Sequence, residues 1–389
     1  VDGVTVVGDP DAPGTVVLDA QQYGRVLRAE NLARVTLIGL TLTGGRADGD
    51  IGYHQSGGAL LVSNSRVNLR QVRVIGNTAV SDGGGVQVLW GELDADDCLF
   101  ADNIAAGGGG GVDLRSDSKA EFDRCRFEDN VGAWGGGVSS RAGSRCWFND
   151  SWFLGNEAVA PQEIGGAFFA DYSAVISFLR SVLAGNSARQ GGAVRLADAM
   201  ANFVNCTVVQ NSAWESGGAI MVRGGSLMLD RSLVAFNDGA SVTGEIAQLY
   251  VAGTDIYANA DGDWIGDLAA LADQNDNFAA DPLFCDLDDF RLQGGSPCAP
   301  ENHPRGLIGA LPVGCDHVAI ELRDFRARVD YDKITITWEV VAEEPYEFRL
   351  RGGFLDSPAI PRWDVHYQEA GEPGTYVAER NVPARWLVK

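Results

Sequence analysis

Lysine is almost missing from this chain: of 389 residues only Lys119, Lys333 and Lys389 carry that side chain. Proline is sparse as well, with 13, and no stretch approaches the roughly 20 consecutive apolar residues that span a bilayer. Basic residues number 30 against 53 acidic ones, for a net charge of −23. That balance excludes nucleic-acid backbones and anionic membrane surfaces as partners, because both would be repelled. Membrane insertion is not expected either. Nor is this a disordered acidic tail, since 45% of the residues are hydrophobic. The chain opens at Val1 without an initiator methionine or a leader, so its N-terminus is expected to be processed or truncated.

What is abundant is glycine. Its 50 copies are roughly twice average usage, and with so little proline they do not make a collagen. The glycines are ordered. A Gly-Gly pair recurs at Gly57, Gly83, Gly109, Gly135, Gly165, Gly191 and Gly217, in steps of 26, 26, 26, 30, 26 and 26 residues. An asparagine follows each pair 20 or 21 residues later: Asn77, Asn103, Asn130, Asn156, Asn186, Asn211 and Asn237. Repeats at such a period signal a solenoid.

Each unit reads as three short strands. The Gly-Gly pair is followed by period-two alternation, as in Val112-Asp113-Leu114 and Val194-Arg195-Leu196. A second strand carries Leu69, Ala95, Phe122, Phe148, Phe178, Phe203 and Leu229, eight residues before the asparagines. A third carries Val74, Phe100, Phe127, Phe153, Leu183, Val208 and Val234, three residues before them. No unit has a 3.6-residue apolar face long enough for a helix. The fold class is therefore all-β: a three-sheet parallel solenoid of about 26 residues per coil, right-handed by the rule for parallel crossovers. Stacking converts each sequence column into a spatial row. The phenylalanines become an interior stack. The asparagines become a ladder that tolerates left-handed backbone at its turns.

The Gly-Gly-Ala/Gly strand followed by Phe-x-x-Asn (Phe100 to Asn103, Phe127 to Asn130, Phe153 to Asn156) resembles right-handed parallel β-helix repeat proteins. The same motif pair marks the chlamydial polymorphic membrane proteins. The opening segments Val16–Ala20, Gly24–Leu27 and Leu40–Gly45 are similar to the first coils of bacterial secreted β-helix proteins. Gly262-Asp263-Trp264, Asn277–Cys285 and Ser296-Pro297-Cys298 through Gly309-Ala310 are similar to their last coils. The resemblance covers roughly residues 1–315, with regular repeats over about 57–240 and irregular last coils over 241–315. It lacks the amphipathic helix that usually caps the first coil, and Arg305 stands where a cysteine is expected. It implies a secreted or cell-surface, extracellular location more than an activity. Of Cys285, Cys298 and Cys315 in the loop-rich end, one disulfide and one free thiol are expected.

Residues 316–389 leave the repeat. Their alternating strands, with Trp338 inward, resemble a fibronectin-III-like β-sandwich that is small or incomplete, with about five strands. Cys98, Cys125 and Cys206 share one inward column with Ser151, Ser181 and Ser232, and Cys146 lies in another. These read as small buried residues, although a Cys98–Cys125 bridge is geometrically allowed. No Cys-x-x-Cys pair exists and His54, His303, His317 and His366 do not cluster with the cysteines, which argues against zinc.

Enzymes on the fold that the resemblance implies usually work on acidic polysaccharides. A lyase needs a cation to neutralise the uronate and a base beside it, and a hydrolase needs paired carboxylates. The outward row of the Gly-Gly strand is Leu61, Gln87, Asp113, Ser139, Phe169, Arg195 and Met221. Its one acid and one base stand three rungs apart, about 14 Å at the strand spacing. No catalytic residue is assigned on that ground. On the second strand, Asp97, Arg124, Asp150, Arg180, Asn205 and Arg231 alternate in sign and read as a salt-bridge ladder. Asp94 stacks on Glu121 and Asp96 on Asp123. Like charges on adjacent strands need neutralising. Lys119 and Arg124 can do so, or Asp94, Asp96, Glu121 and Asp123 can hold Ca²⁺. The segments Asp261–Asp263 and Asp273–Asn277 are a second, weaker calcium candidate, lacking EF-hand spacing. The run Gly107–Gly111 lacks the Lys-Ser/Thr of a phosphate loop and is a corner of the repeat.

These features point first to a non-catalytic extracellular scaffold that adheres to a surface protein or binds a glycan. The alternatives are a filament or sheath subunit growing by head-to-tail self-association, and a polysaccharide lyase or hydrolase.

Overall fold

The structure, a computed structural model, describes residues 3–49, 52–286 and 288–315 and, beyond them, five strands. The chain divides into two compact units, Val1–Cys315 and Asp316–Lys389.

The first unit is a parallel β-helix. One sheet has 17 strands, a second has ten and a third has seven. Coils stack in register: Val86 lies opposite Val112, and Val112 opposite Val138. The strand after each Gly-Gly pair and the one that follows it belong to a single sheet, because in two coils they fuse into the continuous strands Val194–Val204 and Ile220–Asp230. The third sheet comes from short strands just past each ladder asparagine, such as Thr78–Ala79 and Ile104–Ala105. Most of these strands have two residues, too few to show a period, so the repeat pattern does not reveal them. Among the described residues, helix is confined to the 3-10 turns Gly52–Gln55 and Gly266–Leu271, and no helix is long and apolar enough to cross a membrane.

The interior is filled by two phenylalanine columns. Phe122, Phe148, Phe178 and Phe203 stack with centroids 4.9, 5.0 and 4.7 Å apart. Phe100, Phe127 and Phe153 stack beside them at 4.9 and 4.6 Å. Rings of the two columns meet edge to face, as between Phe122 and Phe127. Each such pair contributes about 0.5–1.5 kcal/mol beyond its buried area.

The asparagine ladder runs alongside. From Asn77 to Asn237 each Nδ2 donates to the Oδ1 of the asparagine one coil on, at 2.9–3.0 Å. Each backbone N–H donates to that same oxygen, as from Asn130 to Asn156 at 3.1 Å. The left-handed residue is the one before the asparagine, for example Asp102 and Asp129, and not the asparagine itself. The side chain is then free to point inward. The first glycine of each pair is left-handed too. A Cβ on Gly109 would lie 2.1 Å from the Val112 carbonyl oxygen.

The last coils differ from the expected irregular continuation. One more coil follows Asn237, with strands Val242–Glu245, Gln248–Ala252 and Asp255–Tyr257. The turn Gly266–Leu271 then drives Leu268 into the core at the open end. Beyond it the chain doubles back outside the second sheet. Phe290, Leu292, Cys298 and Ile308 pack there on Val182, Val209 and Leu233. Ala310 N–H donates to Thr207 Oγ1 at 2.9 Å and Gly309 N–H to the Arg231 carbonyl at 2.9 Å. A disulfide joins Cys285 to Cys315, while Cys98, Cys125, Cys146, Cys206 and Cys298 are buried thiols.

In the second unit, Glu321–Asp330, Lys333–Val341 and Gly374–Asn381 form a three-stranded antiparallel sheet, and Glu347–Gly352 pairs with Trp363–Gln368. The inward side chain expected for Trp338, and the side chains of His317 and His366, lie outside the described residues.

Candidate functional site

Two faces of the first sheet carry charge. The first lies outside the Gly-Gly strands, where the outward row is covered rather than open to solvent. Leu61, Gln87, Asp113, Ser139, Phe169 and Arg195 do point away from the core, yet Asp113 and Ser139 are 0% exposed and Arg195 only 5%. Period two gives a direction, not what lies there. Corner residues flank the row, with Trp134 bridged to Gly108 and Ile164. The Arg141 guanidinium folds back across it, 4.5 Å from the Trp134 ring centre. A Cβ at Gly108 would stand 2.3 Å from Arg141 Nη2 and 2.5 Å from Asp113 Oδ1, so only glycine leaves room for the pair.

The charges beneath are matched. Arg141 Nη2 lies 2.9 Å from both Asp82 Oδ1 and Asp113 Oδ1. Arg115 pairs with Asp82, and its Nε stands 3.1 Å from Asp113 Oδ2. Gln87 Nε2 donates to Asp113 Oδ2 at 2.8 Å, and the Ser139 hydroxyl to Asp113 Oδ1. Burial works to push the Asp113 carboxyl up, but Arg141, then Arg115, Ser139 and Gln87 hold it below the ordinary range. Asp113 is closed to any ligand. At the rim, half-buried Asp171 differs: burial pushes it up to about 6, with Arg141 pulling down and Asp113 adding to the rise. Its Oδ1 is buried without a hydrogen-bond partner.

Arg115, Arg141 and Asp171 form a further outward column, two residues on from Asp113, Ser139 and Phe169, and the same period-two rule marks them. Asp82 sits in a corner that no strand pattern marks.

The second face lies outside the following strand. A groove of about 470 Å³ opens there between Arg34, Arg66 and Arg70 on one side and Glu121, Asp123 and Arg124 on the other. Asp94 and Asp96 form its middle, with Asp94 in register with Glu121 and Asp96 with Asp123. The four residues considered for calcium therefore share one groove, but each of three has another partner. Arg66 donates to Asp94 Oδ2 at 2.9 Å, Arg124 pairs with Asp96, and Asn149 Nδ2 donates to Asp123 Oδ1 at 2.7 Å. Glu121 stands apart; burial, then Asp123 and Asp94, push its carboxyl up. Among the described residues no three His, Cys, Asp or Glu side chains group so as to hold a metal ion. Trp147 occupies the rung beyond Glu121 and is 37% exposed.

The alternating column belongs to the turn after this strand. Asp97, Arg124, Asp150, Arg180, Asn205 and Arg231 all have φ of 47–52°. Two of its expected pairs form, Arg124 Nε to Asp97 Oδ1 at 2.8 Å and Arg180 Nε to Asp150 Oδ1 at 2.7 Å. Asn205 instead donates to the Leu307 carbonyl at 2.6 Å, tying down the returning segment. In the weaker calcium candidate, Asp263 accepts from the backbone N–H groups of Ala258 and Asn259, and Asp276 pairs with Arg305 at 2.8 Å.

The parallel solenoid with its ladder defines a β-helix repeat protein. Residues 57–234 match the family described as "Right handed beta helix region". No curated protein and no solved structure matches the chain.

Proposed function

We propose that this β-helix is a non-catalytic, secreted or cell-surface scaffold that binds a glycan along the outer face of its second strand column. The observation that carries the reading is the groove of about 470 Å³ around Asp94, Asp96, Glu121 and Arg66, with Trp147 on the next rung. Planar carboxylate and guanidinium groups suit the paired hydroxyls of a sugar, and an exposed indole suits its apolar face. Asn68, Asp94, Glu121, Trp147, Ser177 and Asn202 follow one another in register, so successive rungs about 4.8 Å apart present a line of polar and aromatic side chains to an extended chain. The Cys285–Cys315 disulfide is in keeping with an oxidising compartment outside the cytosol.

A glycan array followed by titration calorimetry tests this. A retained glycan should bind about tenfold more weakly to Trp147→Ala, the equivalent of one stacking contact. An array without a hit, or a Trp147→Ala protein that binds the retained glycan unchanged, rejects the reading.

A second reading rests on Asp171. A half-exposed carboxyl with a pKa of about 6, beside Arg141 and Arg115, has the properties of a general acid or base for cleaving an acidic polysaccharide. Release of oligosaccharides from a uronate polymer by the wild type, abolished in Asp171→Asn, supports cleavage; no product sinks it.

A further inference from the structure

Further along the Gly-Gly face lies a cation without a counter-charge. Arg195 is 5% exposed, and its Nε is buried without a hydrogen-bond partner. Its Nη1 donates to the neighbouring Leu196 carbonyl at 2.6 Å. Unlike Arg115 and Arg141, it has no carboxylate among its electrostatic neighbours in the described residues. Burial, then the nearby Arg223, press its pKa down. On its own column the register runs from Arg195 through half-buried Met221 to Thr243, whose Oγ1 is likewise buried and unpartnered. Arg223 stands exposed two residues from Met221 and opens the site to solvent. Two acids border the region. Asp171 lies one rung back, opposite Ala197, and Glu245 lies opposite Arg223. Neither forms an ion pair with Arg195 or Arg223.

A guanidinium taken out of water without an anion is strongly unfavourable, and proteins rarely keep one. Two guanidinium groups held close together repel each other unless an anion sits between them. Arg195 Nε–H is an unpartnered donor, and the unpartnered Thr243 hydroxyl has an O–H that can donate to an anion as well.

We infer that Arg195, Arg223 and Thr243 form a binding site for an oxyanion: a sulfate, phosphate or carboxylate group, either free or carried as a substituent on a larger ligand. Arg195 supplies a fixed charge from below, Thr243 a hydroxyl donor, and Arg223 an exposed guanidinium on the solvent side of the anion. The site is on a different strand column from the Trp147 groove and does not depend on that groove binding a sugar.

The test is a melting titration of the full chain with sodium sulfate, phosphate and acetate, with ionic strength held constant by sodium chloride. The wild type should show a saturable rise in Tm. Arg223→Gln, an exposed change that leaves the fold intact, should weaken the apparent affinity at least tenfold. Arg195→Met should abolish the response and, in the sodium chloride reference buffer without oxyanion, melt no lower than the wild type, because it removes an unpaired buried charge and keeps the apolar stem. A rise that does not saturate, or is the same in all three proteins, overturns the site. So does an Arg195→Met protein that melts lower in the oxyanion-free sodium chloride buffer while Arg223→Gln titrates as wild type, since the guanidinium would then be structural. Competition of bound sulfate by a sulfated or uronate oligosaccharide, and not by a neutral one, assigns the anion to a glycan substituent. Saturable binding without that competition assigns it to a free ion.

Discussion

Asn259 donates its Nδ2 to Asp263 Oδ1 at 2.7 Å, and this bond closes the asparagine ladder. Asn237 Nδ2 donates to Asn259 Oδ1 at 2.7 Å, so the line of amides that starts at Gly45 N–H runs through eight asparagines and stops on a carboxylate. A carboxylate is an acceptor only. It satisfies the last donor and needs no further coil, which an asparagine at the same place would require.

Interior members of that ladder should be far more sensitive than its end. Asn156 is 0% exposed; its side chain serves the N–H and Nδ2 of Asn130, the Phe127 carbonyl and Asn186 Oδ1. Asn156→Ala leaves several of these buried groups unmet, at about 1–3 kcal/mol each. Asp263→Asn keeps an acceptor for Asn259. Chemical denaturation should therefore show a loss of several kcal/mol for Asn156→Ala and about 1 kcal/mol or less for Asp263→Asn. Equal losses in the two variants are incompatible with an amide line that is continuous inside and merely capped at its end.

The ladder and the phenylalanine stacks were legible because each is one residue type at a fixed spacing, and parallel stacking turns spacing into contact. Asn77 to Asn237 and Phe122 to Phe203 needed no knowledge of neighbouring elements. The burial of Asp113 was not legible, because its cover comes from Arg141 on the next rung and Trp134 at a corner. The groove acids Asp94, Asp96, Glu121 and Asp123 were legible as a cluster but not their partners. Arg66 and Asn149 reach them from flanking coils, and long side chains choose partners by geometry that a one-dimensional pattern does not contain. The return of residues 281–313 over the second sheet was hidden for a related reason: its anchors, Thr207 and Arg231, are far away in the chain.

Acid should stabilise the returning segment. Asp255 is 0% exposed, and its Oδ2 accepts from the Cys298 thiol at 3.3 Å while Ala280 N–H donates to Oδ1 at 3.0 Å. Burial pushes this carboxyl up to about 7 from an ordinary value of 3.8. A folded-state pKa above the unfolded one means that the folded chain holds a proton that the unfolded chain has released. The associated stability is complete below about pH 4 and is lost as pH rises to about 7, at up to about 1.4 kcal/mol per pH unit. Hydrogen exchange of amides in residues 281–313 should accelerate, beyond the intrinsic pH effect, between pH 5 and 7. In Asp255→Asn that excess should vanish. An excess of the same size in the variant assigns the pH dependence to other groups.

The matched charges under Trp134 should behave as a unit. Arg141→Met leaves Asp113 and Asp82 short of a counter-ion in a dry site and should cost about 3–5 kcal/mol. Adding Asp113→Asn removes one of the stranded charges and should restore part of that loss. A double-mutant cycle from denaturation curves then gives a coupling of 1 kcal/mol or more. Additive losses would mean that the two side chains are held by other partners.

Reduction of the single disulfide should loosen one end of the β-helix and leave the rest in place. Cys285 and Cys315 are 30 residues apart in sequence, and closing such a loop contributes about 3–4 kcal/mol. The segment it closes touches the solenoid through Phe290, Leu292 and Ile308, whereas coils 57–237 are held by the ladder and the phenylalanine stacks. In a repeat architecture each coil depends on its neighbours rather than on a distant loop. Exchange protection in residues 281–313 should therefore fall on treatment with a reductant while the amides of Asn103, Asn130 and Asn156 stay protected. The same sample should expose the two thiols of the bridge and, within the loosened segment, Cys298. Burial pushes Cys146 and Cys206 up to about 12, so they remain unreactive thiols until the coils unfold. Global loss of protection, or the appearance of Cys146 and Cys206 along with the thiols of the returning segment, would mean that the bridge holds the whole solenoid rather than its returning end.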